Sequence, residues 1–551
     1  MSPTLRSQVW KEWHERRWMF ALASAWVLCG AIYAIVYELA RGYHAPVASV
    51  FSACLLYGLY VPIFLAMRTS LGEVTQGTLA FTASLPVSLR QTAAVRMVAA
   101  AVTLVVPMIF GAVVLSVAVG TGFVEQMQQR PHDNYVPLPQ RTPLPAPAAV
   151  GLVWKVIAMA AASATMLLLV LAIVGARRKS ETVVGLIGAP LAMLWIMAPG
   201  IRFGENATAS WANWFGALLP QSLVINYGYG DEVGSYTDLD IAPMVWRPLA
   251  ANLLVLVLLG VWFARRYGSR RFTMEASARR RRRWPRLPAW LPNPIPGRLA
   301  ALVWVDLRQA VPLAVAGLVL AVVMTLAEIL LNPGSTNGGL ALSVAGQLPG
   351  STWIIATLWA AVVAAGVFGS ELQPRLEDFW RSRPISPTTW FWTKYVVGLL
   401  AVLIVLDGVT ILVSWGSPYA DSNNRMSVAY VACMPLLHAT VYSLTVLAVG
   451  LLRRPAFAAM AAVFAYFLAT MVLESFPGLR DREPIHVYNY LFFETSNELA
   501  SLWDRRYLIT FGTLAAICVV LTVFAWRAAR APRGGLRYAR SRSRTASAAG
   551  G

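Results

Sequence analysis

Lysine, histidine and cysteine are scarce in this chain, with four, five and four copies among 551 residues. Each shortage removes a class of chemistry. The lysines follow Trp10, Trp154, Arg178 and Thr393, so the chain has no Gly-Lys dipeptide. A P-loop needs that pair to hold phosphates between backbone amides and an ammonium, so no such nucleotide site is expected. Cys29, Cys54, Cys433 and Cys518 each sit inside an apolar run, without a close cysteine pair or a Cys/His cluster. They read as small buried hydrophobes, and neither a disulfide nor a metal site is expected. His14-Glu15 opens a zincin-like string, but Trp18 stands where the second histidine belongs. Spacing alone leaves Ser-His-Asp sets open, yet no G-x-S-x-G elbow occurs. The chain is therefore expected to be no enzyme and to carry no cofactor of its own.

Charge is scarce as well. Charged residues make up 13% of the chain, against about 25% in a soluble domain. Hydrophobic residues reach 57% and mean hydropathy is +0.57. With 21 Trp, 19 Tyr and 21 Phe the chain is no disordered polymer. So much apolar surface needs a hydrocarbon solvent, and the sequence predicts a polytopic membrane protein.

Apolar runs of about 17–25 residues can cross the ~30 Å hydrocarbon core as helices. Twelve such runs are present, at about 18–39, 47–67, 97–120, 149–174, 182–200, 248–264, 309–331, 352–369, 395–416, 428–451, 456–473 and 508–526. The first exceeds a signal-peptide core and lacks a convincing cleavage site, so it is expected to be retained. With the N-terminus inside, the cytoplasmic segments hold 35 of the 46 Lys and Arg and the outer segments hold 10. That asymmetry predicts a multi-pass protein with both termini cytoplasmic. Arginine far outnumbers lysine, which fits a GC-rich bacterial genome and hence a bacterial inner membrane.

The most informative feature is a repeat. Glu73 is followed by Phe81, Ser84, Pro86, Val87, Ser88 and Arg96. Glu371 is followed by Phe379, Ser382, Pro384, Ile385, Ser386 and Lys394, each offset by 298 residues. Trp10-Lys11-Glu12 before the first span matches Trp304-Val305-Asp306 before the seventh, and Arg177-Arg178 matches Arg453-Arg454. The order of the matches predicts an all-α protein of two parallel six-helix repeats, 1–264 and 301–528. A basic, Pro-rich cytoplasmic linker would join them at 265–300, and a disordered basic tail would follow at 529–551. Their arginines suit anchoring to anionic lipid headgroups better than nucleic acid, and no nucleic-acid partner is expected.

The loops at 70–96 and 370–394 would be cytoplasmic helix-turn segments with one apolar face, fit to meet a cytoplasmic partner. The Pro-[VI]-Ser step would stop each helix, because proline disfavours helix in the residue before it. Within the membrane, Asp407 and His438 lie at depths that differ by about 5 Å and could pair across neighbouring helices. A helix-to-helix staple is the plainer reading of them; a proton relay or substrate contact is the other. Glu38, Lys155 and Glu328 lie near outer ends, where they could snorkel.

A Trp-x-acidic segment before the first span, then a Glu-led loop reading LAFTASLPVSLRQTAAVR or EDFWRSRPISPTTWFWTK, resembles the permeases of type-2 ABC exporters. The resemblance covers nearly the whole chain as a pattern. It implies that the loops are coupling helices, with Glu73, Phe81, Ser84, Pro86, Glu371, Phe379, Ser382 and Pro384 meeting an ATP-binding subunit. It also implies elbow helices around Trp10, Glu12, Trp304 and Asp306. Because two units share one chain and neither carries an ATPase domain, the resemblance implies a separate ATPase in two copies, which would bring the ATP and magnesium. A proton-coupled twelve-helix secondary transporter and a non-transporting scaffold are the competing readings. Residues that would line a path for lipids, peptides or drugs also build packed cores, so no substrate class follows.

Overall fold

The computed structural model describes residues 3–41, 61–71, 87–125, 144–176, 246–269, 297–331, 340–369, 385–415, 428–453, 455–475 and 505–530, with a few positions between 47 and 58 and at 371–372. Every element among them is helical. Eight of these helices are long and apolar enough to cross a bilayer, or nine when one bent pair counts as a single span. The protein is a multi-pass membrane protein. The chain divides into two compact units, Met1–Leu291 with Val323–Asn337 and Phe467–Asp481, and Pro292–Val322 with Gly338–Tyr466 and Arg482–Gly551.

The first unit contains α1 (Pro3–Arg41), α2 (Leu89–Gly120), α3 (Ala146–Gly175) and α4 (Trp246–Gly268). α1 packs along α2, which also packs on α3 and α4. Val150 near the start of α3 lies against Gly120 at the end of α2, so these two run antiparallel. Gly268 at the end of α4 lies against Arg90 at the start of α2. Pro107 interrupts α2 and offers no N–H to the Thr103 carbonyl one turn earlier. The buried Tyr57 hydroxyl approaches that carbonyl at 3.4 Å and donates to the neighbouring Leu104 carbonyl at 3.0 Å. Trp26 closes over Tyr57 edge-on.

The second unit holds the first part of α5 (Arg298–Leu331), then α6 (Leu340–Gly369), α7 (Pro387–Val402), a π-helical turn (Leu403–Gly408), α8 (Val409–Trp415), α9 (Val428–Leu452), the first part of α10 (Pro455–Ser475), and α11 (Arg505–Arg530). Tyr395 on α7 joins three helices, its hydroxyl lying 2.6 Å from Ser443 on α9 and 2.7 Å from Thr522 on α11. In a bilayer such hydrogen bonds and close packing replace the hydrophobic effect between helices. Glycine gives that closeness at Gly317, where an added Cβ would overlap the Trp359 ring. Pro455 at the start of α10 lies against Gly369 at the end of α6, and Ala528 near the end of α11 lies against Gly450 near the end of α9. These ends gather at one side of the unit.

Several expectations need correction. Trp10 and Glu12 form no separate elbow, because α1 runs unbroken for 39 residues. No glycine or proline lies between residues 4 and 29 to stop it, and at 1.5 Å per residue α1 reaches ~58 Å, beyond the ~40–45 Å of a whole bilayer. Trp304 and Asp306 likewise lie within the continuous α5. The serine of each Pro-[VI]-Ser step starts a helix. Ser88 accepts from the Gln91 N–H while Gln91 accepts from the Ser88 N–H, closing a capping box, and Ser386 caps α7 by accepting from the Thr389 N–H. The loops therefore end at 88 and 386, with Arg96 and Lys394 already helical. Lys155 is buried in α3, the most enclosed of the apolar helices, and does not snorkel. The run at 352–369 is the second half of an α6 bent by 50° between 353 and 355. The run at 47–67 is described only in part, and 182–200 lies outside the described residues.

Candidate functional site

Two buried ionic clusters sit where the loops enter their helices. In the first, Glu12 on α1 receives three N–H donors. Arg16, one turn along the same helix, donates Nε at 3.1 Å and Nη2 at 2.9 Å to Oε2. Arg96, on the second turn of α2, donates Nε to Oε1 at 2.9 Å. Arg96 also donates Nη1 to the Tyr267 hydroxyl at 3.0 Å, which brings in the end of α4. Arg16 Nη2 reaches Thr69 at 3.3 Å, and Arg68 pairs with Glu15 at 3.1 Å. A guanidinium suits this node because its planar fork serves two partners at once.

The second cluster uses an ammonium. Lys394 on α7 lies 2.7 Å from Asp306 on α5 and 3.2 Å from Glu371, just past the end of α6. The Lys394 and Asp306 side chains are fully buried, whereas Glu371 is 23% exposed. Trp390 Nε1 donates to the other Glu371 oxygen and its ring packs against Phe368. Lysine's compact ammonium lies within reach of both carboxylates here. Taken as ions, the first node of one carboxylate and two guanidiniums has an excess positive charge. The second, with two carboxylates and one ammonium, has an excess negative charge.

Neither cluster resembles a reaction centre. Each ties the early turns of one helix to a base on the second turn of a later helix, Arg96 on α2 and Lys394 on α7. Glu12, Asp306 and Glu371 are thus brought to these nodes, while Trp10 is exposed, its ring stacked on His14, and Trp304 is half-buried. Glu73, Phe81, Ser84, Pro86, Phe379, Ser382 and Pro384 lie outside the described residues. Sequence reasoning passed over Arg16, Tyr267 and Trp390. Arg16 left a signal in its i, i+4 spacing from Glu12, and Trp390 in its i, i+4 spacing from Lys394, whose ammonium lies 6.0 Å from the centre of its ring.

Elsewhere in the second unit, Asp407 Oδ1 and His438 Nδ1 are 2.7 Å apart and both side chains are buried. Among the described residues no group of three His, Cys, Asp or Glu is placed to hold a metal ion. No protein-family model matches this chain, and no curated protein matches its sequence.

Proposed function

We propose that this chain is the membrane-spanning subunit of a type-2 ABC exporter, built from two fused six-helix units and driven by a separate ATPase. The observation that carries the reading is the pairing of repeat-matched residues. Glu12 meets Arg96 at 2.9 Å, and Asp306, the match of Glu12, meets Lys394, the match of Arg96, at 2.7 Å. An acid ahead of the first span of each unit thus holds the base that follows each Pro-[VI]-Ser loop. Ser88 and Ser386, also matched, both cap the helix that carries this base.

Parity supports twelve crossings. The start of α1 and the start of α2 meet at one end through Glu12 and Arg96. A chain that leaves that end along α1 must return before Leu89, and the run 47–67 is available for the return. α3 runs back toward that end, whereas α4 finishes there, with Tyr267 on Arg96. One more crossing between α3 and α4 would follow, and the apolar run 182–200 is available in the sequence for it. In the second unit the six expected spans correspond to α5, α6, α7 with α8, α9, α10 and α11.

In this mechanism ATP binding would close two ATPase copies on the cytoplasmic side and push the loops that end at Ser88 and Ser386. Lys394 would carry the push from Glu371 to α5, and Arg96 would carry it from its loop to α1 and α4. The units then shift as packed bodies between discrete arrangements. The bacterial inner membrane, cytoplasmic termini and contact of the basic linker and tail with anionic lipid belong to the same proposal.

The test is capture of the ATPase with the full chain in mild detergent. Charge reversal at Glu73 or Glu371 should lower the yield, and capture unchanged in both variants counts against the loops as the docking site. One observation favours a second reading, a proton-coupled secondary transporter: the buried Asp407–His438 pair. Transport in vesicles that collapses with an uncoupler and ignores vanadate would decide for it.

A further inference from the structure

The buried carboxylate of Asp407 poses a charge-balance problem that the ionic nodes do not touch. Its side chain is 1% exposed in a membrane-spanning helix, where an uncompensated charge costs at least ~2.5–3.5 kcal/mol. The π-helical turn that carries it packs against α6, α7, α8 and α9. α6 and α8 contain no ionisable side chain at all. α7 brings Lys394 and Tyr395. Lys394 is held by Asp306 and Glu371, and lies thirteen residues before Asp407, ~20 Å along the helix. Tyr395 is bonded to Ser443 and Thr522. From α9 the ionisable side chains described are His438 and, one turn on, Tyr442, whose ring packs on Tyr395. Among the described residues of these elements no arginine or lysine is left to neutralise Asp407.

The surroundings are those of a small-ion site. Among the described residues Asp407 Oδ2 has no hydrogen-bond partner, and neither does the buried Ser351 hydroxyl on α6. The next residue, Thr352, lies 2.9 Å from Thr410, which donates to the Leu406 carbonyl inside the π turn. His438 Nε2 lies 3.4 Å from the Trp353 carbonyl. Trp353 is the last residue before the bend of α6. The Trp353 carbonyl also accepts from the Thr357 hydroxyl at 2.7 Å, and a bent helix beside a buried carboxylate is a setting in which membrane proteins hold protons and sodium near the midplane. A π turn inside a helix is likewise an irregularity that clusters at functional sites.

The polar pair occurs in one unit only. Transferred through the repeat, Asp407 falls on Ile109 and His438 on Ala162. There α2 remains α-helical, with Pro107 inside it but without a π turn. The architecture is therefore built once without the polar pair.

We propose that Asp407, His438 and the bend of α6 form a monovalent-cation site in the second unit, which takes a proton or a sodium ion as the counter-charge of Asp407. The site is independent of the ATPase reading, since either kind of transporter could carry it. The experiment uses the full chain in lipid nanodiscs and follows the unfolding midpoint against pH and against sodium chloride with potassium chloride as the control. Sodium occupancy raises the midpoint by roughly 1–2 °C per tenfold rise above the dissociation constant, with no response to potassium. Proton occupancy leaves the midpoint indifferent to sodium but makes it depend on pH. In either case the near-isosteric Asp407→Asn loses the response, and His438→Gln shifts it. Wild type and Asp407→Asn responding alike to both pH and sodium would overturn the proposal. So would a wild type that responds to neither.

Discussion

Replacing Lys394 by methionine keeps most of the side-chain volume and removes only the ammonium. Asp306, fully buried, then loses the cation 2.7 Å away, and Glu371 loses one at 3.2 Å. Breaking a buried pair from one side costs about 3–5 kcal/mol, because the remaining charge stays out of water. That is a factor of roughly 160 to 5,000 in the folding equilibrium. The assay is dodecyl sulfate unfolding in mixed micelles, followed by the fluorescence of the 21 tryptophans. Two further variants separate the contributions. Lys394→Met with Asp306→Asn removes both members of the short pair and should recover about 2–3 kcal/mol of the loss, as coupled neighbours do. Glu371→Gln should cost about 1 kcal/mol or less, since its carboxylate is 23% exposed and water screens it. If Lys394→Met lies within 1 kcal/mol of wild type, or the double variant is simply additive, Lys394 does not neutralise a buried node and the transmission argument falls with it.

Two other substitutions address local structure. Ser88→Ala and Ser386→Ala each remove the oxygen that receives a helix-starting N–H; each should cost about 1 kcal/mol in the same unfolding assay, with the serine restored by threonine but not by valine. Gly398→Ala places a methyl on the Tyr442 hydroxyl, and should destabilise by about 1–3 kcal/mol as overpacking does. Adding Tyr442→Phe should return part of that, whereas a neutral Gly398→Ala would mean that α7 and α9 do not approach as closely as described.

Much of the fold was legible because hydrocarbon imposes a simple demand: every backbone polar group must bond within its own segment, so an apolar run of sufficient length becomes a helix. The run at 149–174 became α3 almost residue for residue, and the run at 97–120 became all of α2 except its first eight residues. Helix ends were less legible. Trp10 and Trp304 looked like elbows because amphipathic sequence suggests an interface, but amphipathicity also serves a helix that leaves the bilayer with one face on its neighbours. Gln8, Glu12, Arg16 and Met19 form that buried face of α1, while Trp10, Trp13 and Trp18 remain exposed. The Pro-[VI]-Ser step was legible only in part: Ser88 with Gln91 three residues on is the signature of a helix start, while the helix stop expected at Pro86 and Pro384 lies outside the described residues. For the candidate site, matched spacing marked Glu12 with Asp306 and Arg96 with Lys394, but could not pair one set with the other. That pairing depends on how α1 lies on α2, which no periodicity encodes. Tyr267 left no trace for the same reason, since its partner Arg96 is remote in the chain.

The difference between arginine at position 96 and lysine at 394 follows from what each must hold. Arg96 joins a carboxylate on α1 to a phenol on α4, two partners in different directions, and uses Nε for one and Nη1 for the other. Lys394 stands between two carboxylates, where a single point of charge can face both. Exchange of the two bases is therefore not neutral in either direction. In the first node a lysine could satisfy Glu12 or Tyr267 but not both, and Arg16 would still neutralise Glu12. In the second node an arginine would need space that the fully buried Lys394 and Asp306 side chains do not leave. The first node should thus tolerate Arg96→Lys better than the second tolerates Lys394→Arg. The reverse order of stability would mean that space around Lys394 is not limiting, and that losing one donor direction at Arg96 costs more than the added volume at 394.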